Sequence, residues 1–148
     1  MSLVFGGYSM TVKTQTLSFK TEGHADMLDI SREVAKQVRQ SGLENGIVTI
    51  FTPSSTSALT TVEYERGCLQ DLRRLFDEIL PADRDYSHNA RWHDGNGHSH
   101  ARSALLKTSL TVPFVDGNLT LGTWQQIIFV DFDNKSRRRE LILQVMGE

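Results

Sequence analysis

The chain has 148 residues, 39% hydrophobic and 23% charged, with a net charge of −2 and one cysteine, Cys68. That size buries one core without staples, and a lone cysteine excludes a disulfide scaffold and a cysteine-rich zinc site. The charge balance argues against a nucleic-acid surface, and no run of about 18 apolar residues offers a membrane span.

In chain order, Val12–Thr21 reads as a strand on its β-branched content. Asp26 is placed as the N-cap of a helix in which Met27, Ile30, Val34 and Val38 share a face, and Ser41-Gly42 ends it. Gly46–Thr52 reads as a buried strand and Ala58–Glu65 as another, separated by the hydroxyl-rich turn Ser54-Ser55-Thr56-Ser57. Leu69, Leu72, Phe76 and Ile79 mark a second amphipathic helix closed by Pro81, with Cys68 as a buried, inert thiol just before it. Ala101–Lys107 reads as a short helix. Thr108–Val115 and Asn118–Leu121 flank Asp116-Gly117, a hairpin signal.

Trp124–Asp133 reads as a long strand with Ile128, Val130 and Phe132 on one face and Ile127 and Phe129 on the other. Two apolar faces make it central, with Trp124 packed in a core or an interface. Arg139–Met146 closes the chain after a turn at Asn134-Lys135-Ser136, and the run Arg137-Arg138-Arg139 is taken as a solvated turn. Hairpins and only two long helices predict an α+β fold: one compact domain over residues 1–148, antiparallel sheets and two main flanking helices. Residues 1–8 lack the charged leader and apolar run of a signal peptide and are set aside as flexible or expression-derived. A cytoplasmic location is the resulting expectation.

Chemistry is expected where His88, His98 and His100 fall within 13 residues, amid Asn, Asp, Gly and Trp. Histidine is both a metal ligand and the acid–base group of neutral pH. At i and i+2 in an extended segment, His98 and His100 point the same way and reach one ion; in a helix they diverge by about 200°. The extended case is expected here, with His88 closing a three-histidine site that leaves a fourth position open. The ion would be divalent, zinc foremost, and no organic cofactor is implied. Glu63 and Glu65 share one face of a strand and supply a further ligand or a general base. Trp92 is a candidate pocket wall, and Ser55, Thr56, Asn96 and Arg102 are candidate substrate contacts. His24 is read as a loop residue.

At these residues the chain resembles the YjbQ-like family, often labelled secondary thiamine-phosphate synthase. The resemblance rests on Ser55–Glu65, Tyr86–Asn89, Asp94–His100, Leu119–Gln126, Asp131–Asp133 with Arg137–Arg139, and Gln144–Glu148. It implies a compact α+β fold, a homotrimer with pockets near subunit boundaries, and a metal or anion site around the histidines. Many members carry His-Thr-Ser/Thr-Ala where this chain has Ser55-Thr56-Ser57-Ala58, and Asn-Glu where it has Glu63-Tyr64. One histidine of the usual site is thus missing, with Glu63 and Glu65 placed to compensate. The resulting expectation is a metal-assisted enzyme on a small phosphorylated metabolite, with thiamine-phosphate-synthase-like chemistry. The competing expectation is a non-catalytic homotrimeric ligand- or metal-binding module.

Overall fold

The computed structural model describes residues 9–148; residues 1–8, set aside above, lie outside them. The elements run β1 (Thr11–Thr21), β2 (Asp26–Asp29), α1 (Ser31–Ser41), β3 (Gly46–Phe51), β4 (Ser57–Val62), α2 (Arg66–Ile79), α3 (Ser87–Trp92) and α4 (Gly97–Leu106). Then come β5 (Ser109–Val115), β6 (Asn118–Leu119), β7 (Gln126–Asp131) and β8 (Arg137–Gly147). Two antiparallel sheets result, one ordered β1-β8-β3-β5-β6 and one ordered β2-β7-β4. The α+β expectation holds, with α1 and α2 as the long helices.

β7 explains the layering. Its side chains alternate between two cores: Ile127 and Phe129 join Val34, Val38, Val48, Ile50 and Leu143 between the sheets and α1. Ile128 and Val130, followed by Phe132, join Met27, Ala58 and Phe76 beneath α2. A strand buried on both faces has no room for polar alternation, which is why both its faces read as apolar. Phe19 of β1 meets Phe129 edge to face at 5.0 Å and ties the large sheet to the small one. Asp116 and Gly117 both take positive φ, 49° and 71°, the conformation a two-residue hairpin between β5 and β6 requires.

Several boundaries differ from the sequence reading. Asp26 does not cap a helix: it starts β2, opposite Asp131. The helix begins at Ser31, whose N–H and hydroxyl both bond Asp29 Oδ1, at 2.9 and 2.6 Å. The β-pairing available to Asp26–Asp29 outweighed the helical spacing of Met27 and Ile30. β7 begins only at Gln126. Trp124 sits in the turn before it and is 72% exposed, so it packs in no core of this chain. Cys68 lies inside α2, half-buried, rather than buried ahead of it. Arg137–Arg139 are not a solvated turn but the first residues of β8. Among the described residues no helix is long and apolar enough to cross a membrane.

Candidate functional site

Two chain crossings meet at one corner. The β3–β4 connection carries Ser54, Ser55 and Thr56 from the large sheet to the small one, and the β7–β8 connection returns through Asp133 to Arg137. The start of α4 closes the corner: Asn134 N–H bonds Asn96 Oδ1 at 3.3 Å, and Ser99 Oγ donates to Phe132 O at 2.5 Å. A cleft of about 490 Å³ opens there, lined by the Ser54–Thr56 loop, Asp94, Asn96, His100, Asp133 and the three arginines. That volume falls within the range of small-molecule sites.

The cleft floor is an ionic lattice. Asp131 is fully buried, and its carboxylate accepts from Arg139 at 2.6 and 2.7 Å and from Thr21 Oγ1 at 2.6 Å. Asp133, 1% exposed, accepts from Arg137 Nε and from Thr56 Oγ1, both at 3.0 Å. Burial opposes the charge on Asp133, but hydrogen bonds from Arg137 and Thr56 and the charges of Arg137 and Arg139 outweigh it, holding the carboxyl below its ordinary value. Arg139 also reaches Ser54 Oγ and Thr56 Oγ1, each at 2.9 Å. Acids recur at 131 and 133 and arginines at 137 and 139, and the period of two puts both arginines on one face of β8. That paired spacing was the available signal for these residues, which the sequence reading did not select as site residues.

His98 and His100 do not share a site. Both lie in α4, not in an extended segment, so they diverge around the helix. His100 lines the cleft, and its ring packs against that of His88 in a tilted arrangement with centroids 4.3 Å apart. Asp94 Oδ1 lies 3.3 Å from His88 Nδ1. That nitrogen has no aligned hydrogen bond. His98 instead packs inward, 5% exposed, near Tyr86. Among the described residues no three His, Cys, Asp or Glu side chains come together as a metal cage. The donor set does not fit the expected zinc. His93, in the same stretch, ends α3 in a left-handed turn, and His24 turns a loop with φ of 54°.

Glu63 and Glu65 are not part of the cleft. β4 ends at Val62, and the five residue steps from Ser57 carry the chain about 17 Å away from the corner. Glu65 is the N-cap of α2, accepting from the Gly67 and Cys68 N–H groups, which lower its pKa. Arg102 is buried too: it donates to Leu80 O at 2.7 and 3.0 Å and to Asp77 at 2.9 Å, tying down the C-terminal end of α2. Trp92 is 63% exposed, lies under the Arg91 guanidinium and does not line the cleft. Of the predicted substrate contacts, Ser55, Thr56 and Asn96 do line it.

Comparison with known proteins agrees with this architecture. Residues 15–148 match the family described as UPF0047 protein YjbQ-like. The chain belongs to that family. A UPF0047 protein from Methanothermobacter thermautotrophicus is 39% identical over 133 residues, covering 90% of this chain and 92% of that protein. A crystal structure of a YbjQ-like protein of unknown function from Sulfolobus solfataricus superposes with a TM-score of 0.90 at 31% identity. It covers 95% of this chain and 100% of the other. A hypothetical protein from Aeropyrum pernix superposes with a TM-score of 0.85 at 31% identity, over 92% of this chain and 99% of the other. An exposed Ser55 stands at the cleft rim, and neither Glu63 nor Glu65 lines the cleft.

His98 gives the fold an acid-sensitive point. Burial, then the Arg102 charge and that of His24, lower its pKa below the ordinary 6.5, against the raising effects of Gly95 and Asp77. The unfolded chain therefore binds a proton more readily, and stability is lost as pH falls from 6.5 through the depressed folded value. Above 6.5 nothing is lost. Thermal unfolding at pH 7, 6 and 5 should show a steeper fall for the wild type than for His98→Gln; parallel curves would refute the assignment.

Proposed function

We propose that this UPF0047 protein is an enzyme acting on a small phosphorylated metabolite, with His100 as the proton-transfer group. One observation carries the reading: His100, Asn96 and the Ser55 hydroxyl line the same cleft as Arg137, Arg138 and Arg139. Guanidinium groups match phosphate oxygens, and the neighbouring imidazole can donate or accept a proton. The tilted ring of His88 packs against the His100 imidazole. A thiamine-phosphate-synthase-like transfer is a reaction of this kind. A pyrimidine methylene carbon would form a bond to a thiazole nitrogen while its bond to pyrophosphate oxygen breaks. The arginine side of the cleft would stabilise the departing pyrophosphate, and His100 would protonate it.

The test is turnover of phosphorylated metabolites, the pyrimidine and thiazole pair included, by untagged protein, followed by mass spectrometry. His100→Gln should lower kcat about 10²–10⁴-fold, the usual size of an acid–base contribution, with the melting temperature nearly unchanged. Equal turnover by the variant would remove His100 from the chemistry.

The second reading is a non-catalytic homotrimeric binding module, and a different surface favours it. On the outer face of the large sheet three successive cross-strand rows carry no charge: Val12-Met146-Ile47-Pro113, Thr14-Gln144-Thr49-Thr111 and Thr16-Ile142-Phe51-Ser109. Val12, Met146 and Phe51 are 54%, 37% and 40% exposed. An uncharged face of this breadth suits contact between copies. Phosphate binding by a species of three times the chain mass, with no turnover of any substrate, would support this reading over the first.

A further inference from the structure

The three consecutive arginines are not equivalent. Arg137 and Arg139 spend their charge on Asp133 and Asp131. Arg138 projects from the other side of β8, is exposed, and has no carboxylate within 4.0 Å among the described residues. The register places it directly opposite another cation, Lys20 of β1. Like charges facing each other across a ladder destabilise it, and the nearby Glu140 carboxylate accepts from Ser18 instead. The fold thus holds an uncompensated guanidinium beside an ammonium.

Arg138 is among the residues that line the His100 cleft and, with Thr52, Pro53, Ser54, Arg139 and Glu140, a second cleft of about 300 Å³ that adjoins it. Ser55 is exposed on the same rim. A free planar fork of N–H donors takes a phosphate in bidentate fashion, which a lysine cannot do.

We propose that Arg138 is the specificity residue of the site, anchoring the phosphate group of a phosphate monoester whose remainder extends toward Asn96 and His100, with Lys20 adding to the local field. The inference rests on the reading of the cleft as a phosphorylated-metabolite site, but it concerns binding and not turnover. Titration of the ¹⁵N-labelled full chain with inorganic phosphate at low salt, against chloride at equal ionic strength, should shift the Asn96 side-chain amide and the neighbouring backbone resonances. Arg138→Gln should weaken phosphate binding about 10-fold or more, the scale of a lost charge-assisted pair. Arg138→Lys should recover only part of it, and Lys20→Gln should weaken it about 2- to 3-fold. Absence of phosphate shifts at the cleft, or wild-type affinity in Arg138→Gln, overturns the proposal. Unchanged phosphate affinity in Arg138→Gln beside lost turnover in His100→Gln would remove this anchor and leave the enzyme reading standing. Arg138-dependent phosphate binding without any turnover would support the anchor and remove the enzyme reading.

Discussion

Asp131→Ala is expected to destabilise the protein by about 3–5 kcal/mol, the cost of removing one partner from a buried ion pair. The carboxylate is fully buried, and Arg139 is 12% exposed, with 2.6 and 2.7 Å bonds to it. Truncation leaves the guanidinium without its main partner, removes the acceptor of the Asp133 N–H and leaves the Thr21 hydroxyl only the longer bond to Arg137 O. At this chain length a loss of that size corresponds to a fall in melting temperature of about 10 °C or more. Three neighbours limit the damage: Asp133 Oδ2 lies 3.4 Å from Arg139 Nη2, and Ser54 and Thr56 still accept from Arg139. A double-mutant cycle with Arg139→Met separates the pair from its surroundings. If the double variant is more stable than Asp131→Ala alone, the penalty comes from the stranded charge, as expected. A melting temperature within 2 °C of wild type for Asp131→Ala would mean the lattice does not hold this corner together.

The fold was legible wherever burial dictates the pattern. The two apolar faces of Ile127–Phe132, the Asp116-Gly117 hairpin and the Gly42 stop of α1 are local demands of packing and backbone geometry, and each is met. The site was legible only in part. Ser55, Thr56, Asn96 and His100 were selected by residue type and lie in the cleft, and His88 packs against His100. His98 was misjudged because the i, i+2 spacing carries no information about backbone conformation. Gly97 and Asn96 read as loop residues, yet Asn96 begins α4 at its N-cap. Gly97 is demanded by contact, since a Cβ there would fall 2.5 Å from that of Tyr86. Glu65 looked like a base because a helix N-cap and a strand-end acid are the same residue in sequence. Arg102 looked like an anion contact, but the free carbonyl it serves, Leu80 O, exists only once α2 has ended. Arg137 and Arg139 were missed although their carboxylate partners lie only four and eight residues away: the paired spacing of acids and arginines was present in the sequence, but a basic run after a turn reads equally well as solvated.

Phe132→Ala is the second large effect expected, about 3–5 kcal/mol, the usual cost of truncating a buried phenylalanine. Its side chain is fully buried and meets Phe76 edge to face at 4.8 Å. Phe76 is the one fully sequestered residue of α2, whose Leu75 and Ile79 remain 48% and 43% exposed. The helix is therefore held to the small sheet through few contacts, and Phe132 supplies the central one. Its backbone has a second duty: its N–H bonds Thr56 O at 2.9 Å, and its carbonyl accepts from Ser99 Oγ. These bonds join the hydroxyl loop, the β7 exit and α4, so a void beneath them should loosen the cleft as well as the core. Hydrogen exchange is expected to accelerate first in α2 and at the start of α4, with β1, β3 and β8 still protected, because those strands are packed in the other core. Trp124→Ala, by contrast, should leave the stability of the isolated chain within about 0.5 kcal/mol, as for an exposed surface residue. Equal losses for the two variants would put Trp124 back into a core; a near-neutral Phe132→Ala would mean that α2 is secured by contacts other than those through Phe76.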